Sequence, residues 1–177
     1  MNIQEVLKAE LRVVPDFPKP GIQFYDVTTL MLKPDINCLI NDYLYSRYGG
    51  LGITKVVGIE SRGFIYGAML AKTLNVGFVP IRKPGKLPYL TIQESYSKEY
   101  DPKDTIQMHV DALSQSDVVL IHDDVLATGG TMEAAIKLVR ICNDLKIYCN
   151  TLIEIEELNG KQVISAYDAD FHSMMQL

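Results

Sequence analysis

VVLIHDDVLATGGT, Val118 to Thr131, is the stretch that decides the fold. An apolar run ends in two adjacent carboxylates, a small glycine-bearing turn follows, and a helical pattern begins at Thr131. Val118 to Ile121 reads as a buried strand. Asp123 and Asp124 stand at its C-terminal edge, where open α/β sheets hold their ligands. Ala127, Thr128, Gly129, Gly130 and Thr131 can wrap an anion with backbone N–H groups, at the positive end of the next helix. Gly129 and Gly130 permit close approach and a positive φ where one is needed. The two carboxylates would repel a phosphate, so they suit ribose hydroxyls as acceptors. The unit is built for a sugar phosphate. It is not a Walker loop, because no Lys follows the glycines, and no GxGxxG dinucleotide fingerprint is present.

Outward from this unit, the pattern repeats. The β-branched run Lys55 to Ile59 reads as a strand, and Gly63 to Leu74 as a helix with Phe64, Ala68 and Ala71 at helical spacing. Gly77 to Ile81, Val118 to His122 and Tyr148 to Glu154 read as further strands, and Thr131 to Cys142 as a helix. Asn2 to Arg12 reads as a helix with Asn2 as cap and Glu5 at the capping-box position. Pro15 to Gly21 holds three prolines and must extend or turn. Ile36 to Tyr48 is helical and ends at Gly49-Gly50. Arg82 to about Asp104 lacks a sustained apolar period and reads as a long loop with room for a short hairpin; loops of that length are often functional lids. Asn159-Gly160 marks a turn. Strands alternating with helices predict an α/β fold with a mostly parallel central sheet covered on both faces.

The chain has 177 residues, 47% of them hydrophobic, which suits one domain with a sizeable core. A net charge of -5 argues against a general nucleic-acid binder, while leaving room for a local basic pocket. MNIQEVLKAELR lacks the apolar centre of a signal peptide, and no apolar run is long enough for a membrane span. Cys38, Cys142 and Cys149 have neither metal-like nor redox spacing, which reads as reduced, cytoplasmic and structural. With only His109, His122 and His172 beside them, a structural zinc site is not expected.

Three other segments fit the same ligand. In GIESRGFIYG, Gly58 to Gly67, Arg62 lies in a strand-to-helix turn, a good place to meet pyrophosphate. PIRKPGKLP, Pro80 to Pro88, sets Arg82, Lys83 and Lys86 in a stiff loop straight after a strand, a local cationic cluster suited to an anion. ESYSKEY, Glu94 to Tyr100, carries Tyr96, Glu99 and Tyr100, and a carboxylate there can bond a base nitrogen or shuttle a proton. Phe17 to Leu30 adds Phe24 and Tyr25 beside stiffened backbone; an aromatic face can stack on a purine, although Phe24 reads equally as core.

In order along the chain, PDFPKPGI, ESRGFIYG, IRKPGKLP, SYSKEY and DDVLATGGT resemble the adenine branch of the type I phosphoribosyltransferases, over about Val13 to Glu157. The resemblance implies the type I phosphoribosyltransferase fold as a single domain over 1–177, with a small N-terminal hood segment at 1–30 and a long flexible lid loop at 82–104. It implies purine salvage: adenine plus 5-phosphoribosyl 1-pyrophosphate (PRPP) gives AMP plus pyrophosphate, with Mg²⁺ held mainly through substrate and water. By the same resemblance Phe24 and Val125 sandwich the purine and Gln23 lends backbone hydrogen bonds. Arg62, Lys83 and Lys86 hold pyrophosphate, Arg82 reaches toward a partner in a homodimer, and Glu99 in the lid meets the base near its reactive nitrogen. Glu99 and Arg62 are the expected catalytic residues, and no nucleic acid or membrane is an expected partner. Tyr25, Tyr89, Asp101-Pro102 and His122 depart from the family's usual residues. The competing readings are a 6-oxopurine phosphoribosyltransferase and a non-catalytic PRPP-sensing regulator.

Overall fold

A computed structural model describes residues 2–98, 101–142 and 146–177. The chain begins with α1 (Ile3–Glu10), capped by Asn2 in a complete capping box with Glu5. Two short strands, β1 (Arg12–Pro15) and β2 (Gln23–Asp26), pair antiparallel across the proline-rich turn. Sequence periodicity did not predict them, because four residues are too few to display a period. Next come α2 (Thr28–Met31), α3 (Pro34–Tyr48), β3 (Lys55–Ile59), α4 (Gly63–Leu74) and β4 (Gly77–Ile81). The expected bounds of β3, α4 and β4 are the observed ones.

The segment expected as a long loop is mostly an antiparallel hairpin, β5 (Thr91–Lys98) with β6 (Asp101–His109). Among the described residues of this segment, the stretch before Thr91 remains irregular. The hairpin lies against α5 (Gly130–Cys142), and Tyr96, Ile106 and Met108 join the core there. Polar residues interleave with these apolar ones, so the stretch looks loop-like until the partner strand is known.

β7 (Val119–Leu126), β8 (Ile147–Glu154), a 3₁₀ turn (Glu156–Leu158), α6 (Gly160–Ser165) and β9 (Ala169–Gln176) complete the chain. β7 runs four residues past its expected end, since parallel pairing with β8 continues through Leu126. The main sheet has the order β4-β3-β7-β8-β9, and all its pairings are parallel. Successive side chains point to opposite faces. Val57, Ile121 and Cys149 therefore pack with α5 and the hairpin, while Val56, Leu120 and Tyr148 pack with α3 and α4. Burying both faces explains the unbroken apolar runs that revealed these strands.

Candidate active site

Parallel strands all finish at one edge of their sheet, and here that edge opens into a cavity of about 720 Å³. The end of β3 contributes Ile59 to Arg62, and the end of β7 contributes Asp123, Asp124, Val125 and Ala127. Thr131 enters from the first turn of α5, while Gln23, Phe24 and Tyr25 come from β2. A smaller cleft of about 70 Å³ is lined by Ala127, Thr128, Gly129, Gly130 and Thr131, and Asp123, Val125, Ala127 and Thr131 are shared between the two. The sequence-predicted anion loop thus sits beside the larger cavity. Within it, Gly129 takes a φ of +88°, whereas Gly130 is already the first residue of α5.

Arg62 organises the centre. Its Nε forms an ion pair with the buried Asp124 carboxylate, and its guanidinium lies over the Phe24 ring, 5.4 Å from the centroid. Phe17 meets the same ring edge-on at 5.0 Å. The turn bearing Arg62 can approach β7 because Gly63 lacks a side chain; a Cβ there would stand 2.8 Å from the His122 carbonyl oxygen and 3.0 Å from the Asp123 Cα. Burial depresses the Arg62 pKa, but the Asp124 carboxylate outweighs it and holds the guanidinium firmly charged. Asp123 behaves oppositely. Burial and then the adjacent Asp124 charge push its carboxyl well above the ordinary range. Its Oδ1 accepts the Asp124 N–H at 2.9 Å.

The cationic loop divides. Lys83 lines the cavity, with its Nζ 3.3 Å from Asp104 Oδ2. Arg82 and Lys86 lie outside the lining of either cavity. The backbone of Arg82 pairs with Gln107, and its Nε reaches Glu60 at 3.3 Å while Nη1 donates to the Lys86 carbonyl at 3.2 Å. Glu60, which sequence reading passed over, ties this loop to β3 and also accepts the Lys83 N–H at 2.9 Å. Burial raises the Glu60 pKa, but the Lys83 N–H and Arg82 outweigh it, leaving the carboxylate below its usual value.

Sequence reasoning also missed Ile155, Leu158 and Leu177, which line the cavity. No motif marks them; they arrive because β8 ends beside β7 and β9 ends beside β8. Tyr96 lines the cavity from β5, buried, and its hydroxyl donates to Asp104 at 3.3 Å. Glu99 and Tyr100 lie outside the described residues. Of the four departures, Tyr25 lines the cavity, while Tyr89 is exposed and meets the His109 ring edge-on at 6.2 Å. The Asp101-Pro102 pair begins β6.

His122 is fully buried beneath the site. Asn150 Nδ2 donates to the His172 carbonyl at 2.9 Å, so Asn150 Oδ1 is free to accept from His122 Nδ1, also at 2.9 Å. That fixes the proton on Nδ1. Nε2 is buried without a hydrogen-bond partner among the described residues. Burial lowers the ring pKa to about 4, so it is neutral at physiological pH.

Comparison with known proteins matches residues 29–173 to the phosphoribosyl transferase domain family. The adenine phosphoribosyltransferase of Bacteroides fragilis is 57% identical over 178 residues, covering 100% of this chain and 99% of that protein. A crystal structure of the Rhodothermus marinus adenine phosphoribosyltransferase is 51% identical with a TM-score of 0.90, covering 99% and 98% of the two chains. The Giardia lamblia enzyme, solved in complex with 9-deazaadenine, is 40% identical with a TM-score of 0.94, covering 100% and 98%.

Proposed function

From membership of the adenine phosphoribosyltransferase family, to which this chain belongs, we infer that it salvages adenine by converting adenine and PRPP to AMP and pyrophosphate. One observation supports the assignment of the site: the larger cavity brings the apolar Phe24, Val125, Ile155 and Leu158 together with Asp123 and Asp124, and it shares Asp123, Val125, Ala127 and Thr131 with the cleft of the anion loop. A purine fits the first, ribose hydroxyls the second and a 5′-phosphate the third.

The chemistry is displacement at the anomeric carbon, where positive charge builds on the ribose ring as pyrophosphate leaves, by analogy with glycoside cleavage. Arg62 and Lys83 supply fixed positive charge on the leaving-group side, with Lys86 and Arg82 held just outside the lining. Asp123 and Asp124 accept from the ribose hydroxyls. Backbone N–H groups from Ala127 to Thr131 hold the 5′-phosphate at the start of α5. Phe24 and Val125 flank the base, with Gln23 and Tyr25 beside it. Glu99 addresses the base nitrogen, while Tyr96 and Tyr100 belong to the segment that closes over it.

Mg²⁺ fits this donor set as a hard cation carried in on pyrophosphate oxygens. Substrate oxygens and water would supply most of its shell, as Mg²⁺ keeps several waters where it is bound with phosphates. When bound, it neutralises charge on the departing pyrophosphate. We further propose a single domain with residues 1–30 as hood and 82–104 as lid, working as a cytoplasmic homodimer. No described helix is long and apolar enough to cross a membrane.

The test is turnover of adenine, guanine, hypoxanthine and xanthine, each with PRPP and Mg²⁺, followed by pyrophosphate release. Turnover with adenine alone is expected. Turnover with a 6-oxopurine would overturn the base assignment, and PRPP binding without any turnover would favour a regulator.

A further inference from the structure

The backbone between β8 and α6 makes an unusually close contact with the anion loop. Ile155 starts this segment with its N–H on the Leu126 carbonyl at 2.9 Å, which ties the end of β8 to the end of β7. After the 3₁₀ turn, Asn159 takes a left-handed φ of 55° and delivers Gly160 against the loop. A Cβ on Gly160 would lie 2.2 Å from the Ala127 carbonyl oxygen, 2.9 Å from the Gly129 nitrogen and 3.1 Å from the Leu126 Cγ. The contact is reciprocal: a Cβ on Gly129 would lie 2.7 Å from the Gly160 carbonyl oxygen and 3.2 Å from the Val163 Cβ. Two glycines therefore meet face to face, one in the loop and one in the corner. The nearest atoms are backbone on both sides, so neither can rotate away as a side chain could.

We propose that the Asn159-Gly160 corner is a positioning element that sets the shape of the anion loop for the 5′-phosphate. The claim rests on the loop being the phosphate site, as proposed above. An anion cradle works by aiming several N–H groups at one point, so a shift of the loop weakens several charge-assisted hydrogen bonds at once. Gly160 touches the backbone of Ala127 and Gly129 but not the 70 Å³ cleft itself, so it acts through the loop. Leu158, two residues earlier, walls the base end of the larger cavity. One short segment thus fixes the phosphate loop and one wall of the base end together. Arg62 and Lys83 reach the cavity from other elements and owe nothing to this contact.

That separation supplies the test. Gly160→Ala is titrated by calorimetry with ribose 5-phosphate, which needs the loop, and with magnesium pyrophosphate, which needs Arg62 and Lys83. The expected result is a rise of about tenfold to a hundredfold in the Kd for ribose 5-phosphate, the loss of one hydrogen bond to a charged group, with the Kd for pyrophosphate within about twofold of wild type. Asn159→Ala, which disfavours the left-handed φ that delivers Gly160 and adds no clash, is expected to raise the ribose 5-phosphate Kd less, and it serves should Gly160→Ala not fold. Equal weakening of both ligands, or no change in either variant, overturns the proposal. Wild-type protein that binds pyrophosphate but not ribose 5-phosphate would instead overturn the assignment of the loop.

Discussion

Replacing His122 by Asn should change how stability depends on pH, and the buried ring sets the size of the effect. The imidazole is fully buried, and its pKa falls from 6.5 to about 4, chiefly through burial, with Asn150 and Asp124 opposing weakly. A folded pKa below the unfolded one means that the unfolded chain binds the extra proton between those two values. Stability is therefore complete above pH 6.5 and declines as pH falls toward 4. The slope reaches about 1.4 kcal/mol per pH unit and the whole effect about 3 kcal/mol. Asn places an amide donor near the Nδ1 position, so the bond to Asn150 Oδ1 can persist, while the titrating group is gone. Truncating the ring leaves a cavity, and the variant should be less stable at pH 7.5 by about 1–3 kcal/mol. The gap should shrink, or invert, by pH 4.5. Asp123, whose raised pKa gives the opposite slope, and His172, lowered mainly by burial, remain in both proteins and largely cancel in the difference. Urea unfolding at pH 7.5, 6.5, 5.5 and 4.5 measures it, followed by circular dichroism because the chain has no Trp. Parallel stability curves for the two proteins below pH 6.5 would refute a neutral, desolvated His122.

Three further outcomes are expected. Lys83→Ala should weaken pyrophosphate as a product inhibitor by about tenfold, the loss of one charge-assisted contact, with adenine KM unchanged; an unaltered inhibition constant would remove Lys83 from the leaving-group site. Glu99→Leu should lower kcat far more than it weakens PRPP binding, and equal losses would sink its role toward the base. Gly130→Val should abolish PRPP binding while melting remains cooperative, because Gly130 opens α5 without a positive φ and lines the small cleft. Normal PRPP affinity in that variant would show that the loop is not the phosphate cradle.

The local chemistry of the site was written in the sequence. An apolar run, two carboxylates and a glycine turn can be recognised in the fourteen residues from Val118 to Thr131, because strand burial, ligand-edge placement and N–H exposure are all near-neighbour properties. The same holds for β3, α4 and β4, and for the Asn2 cap. What the chain needs other segments to reveal was decided only by the tertiary structure. The pairing of Arg62 with Asp124 spans 62 positions, and no spacing rule predicts which of two adjacent carboxylates keeps its counter-ion and which is driven toward protonation. Ile155, Leu158 and Leu177 belong to the cavity only because β8 stops beside β7 and β9 beside β8. The stretch after Arg82 becomes a hairpin once β6 supplies a partner and α5 a surface on which Tyr96 and Ile106 can be buried. Gly160 reads as an ordinary turn residue in Asn-Gly, and its contact with Gly129 exists only in the folded chain. Sequence sets what each segment can do, since propensity and capping act over a few residues. Which segments meet is fixed by burial and desolvation, and these have values only after the layers have packed.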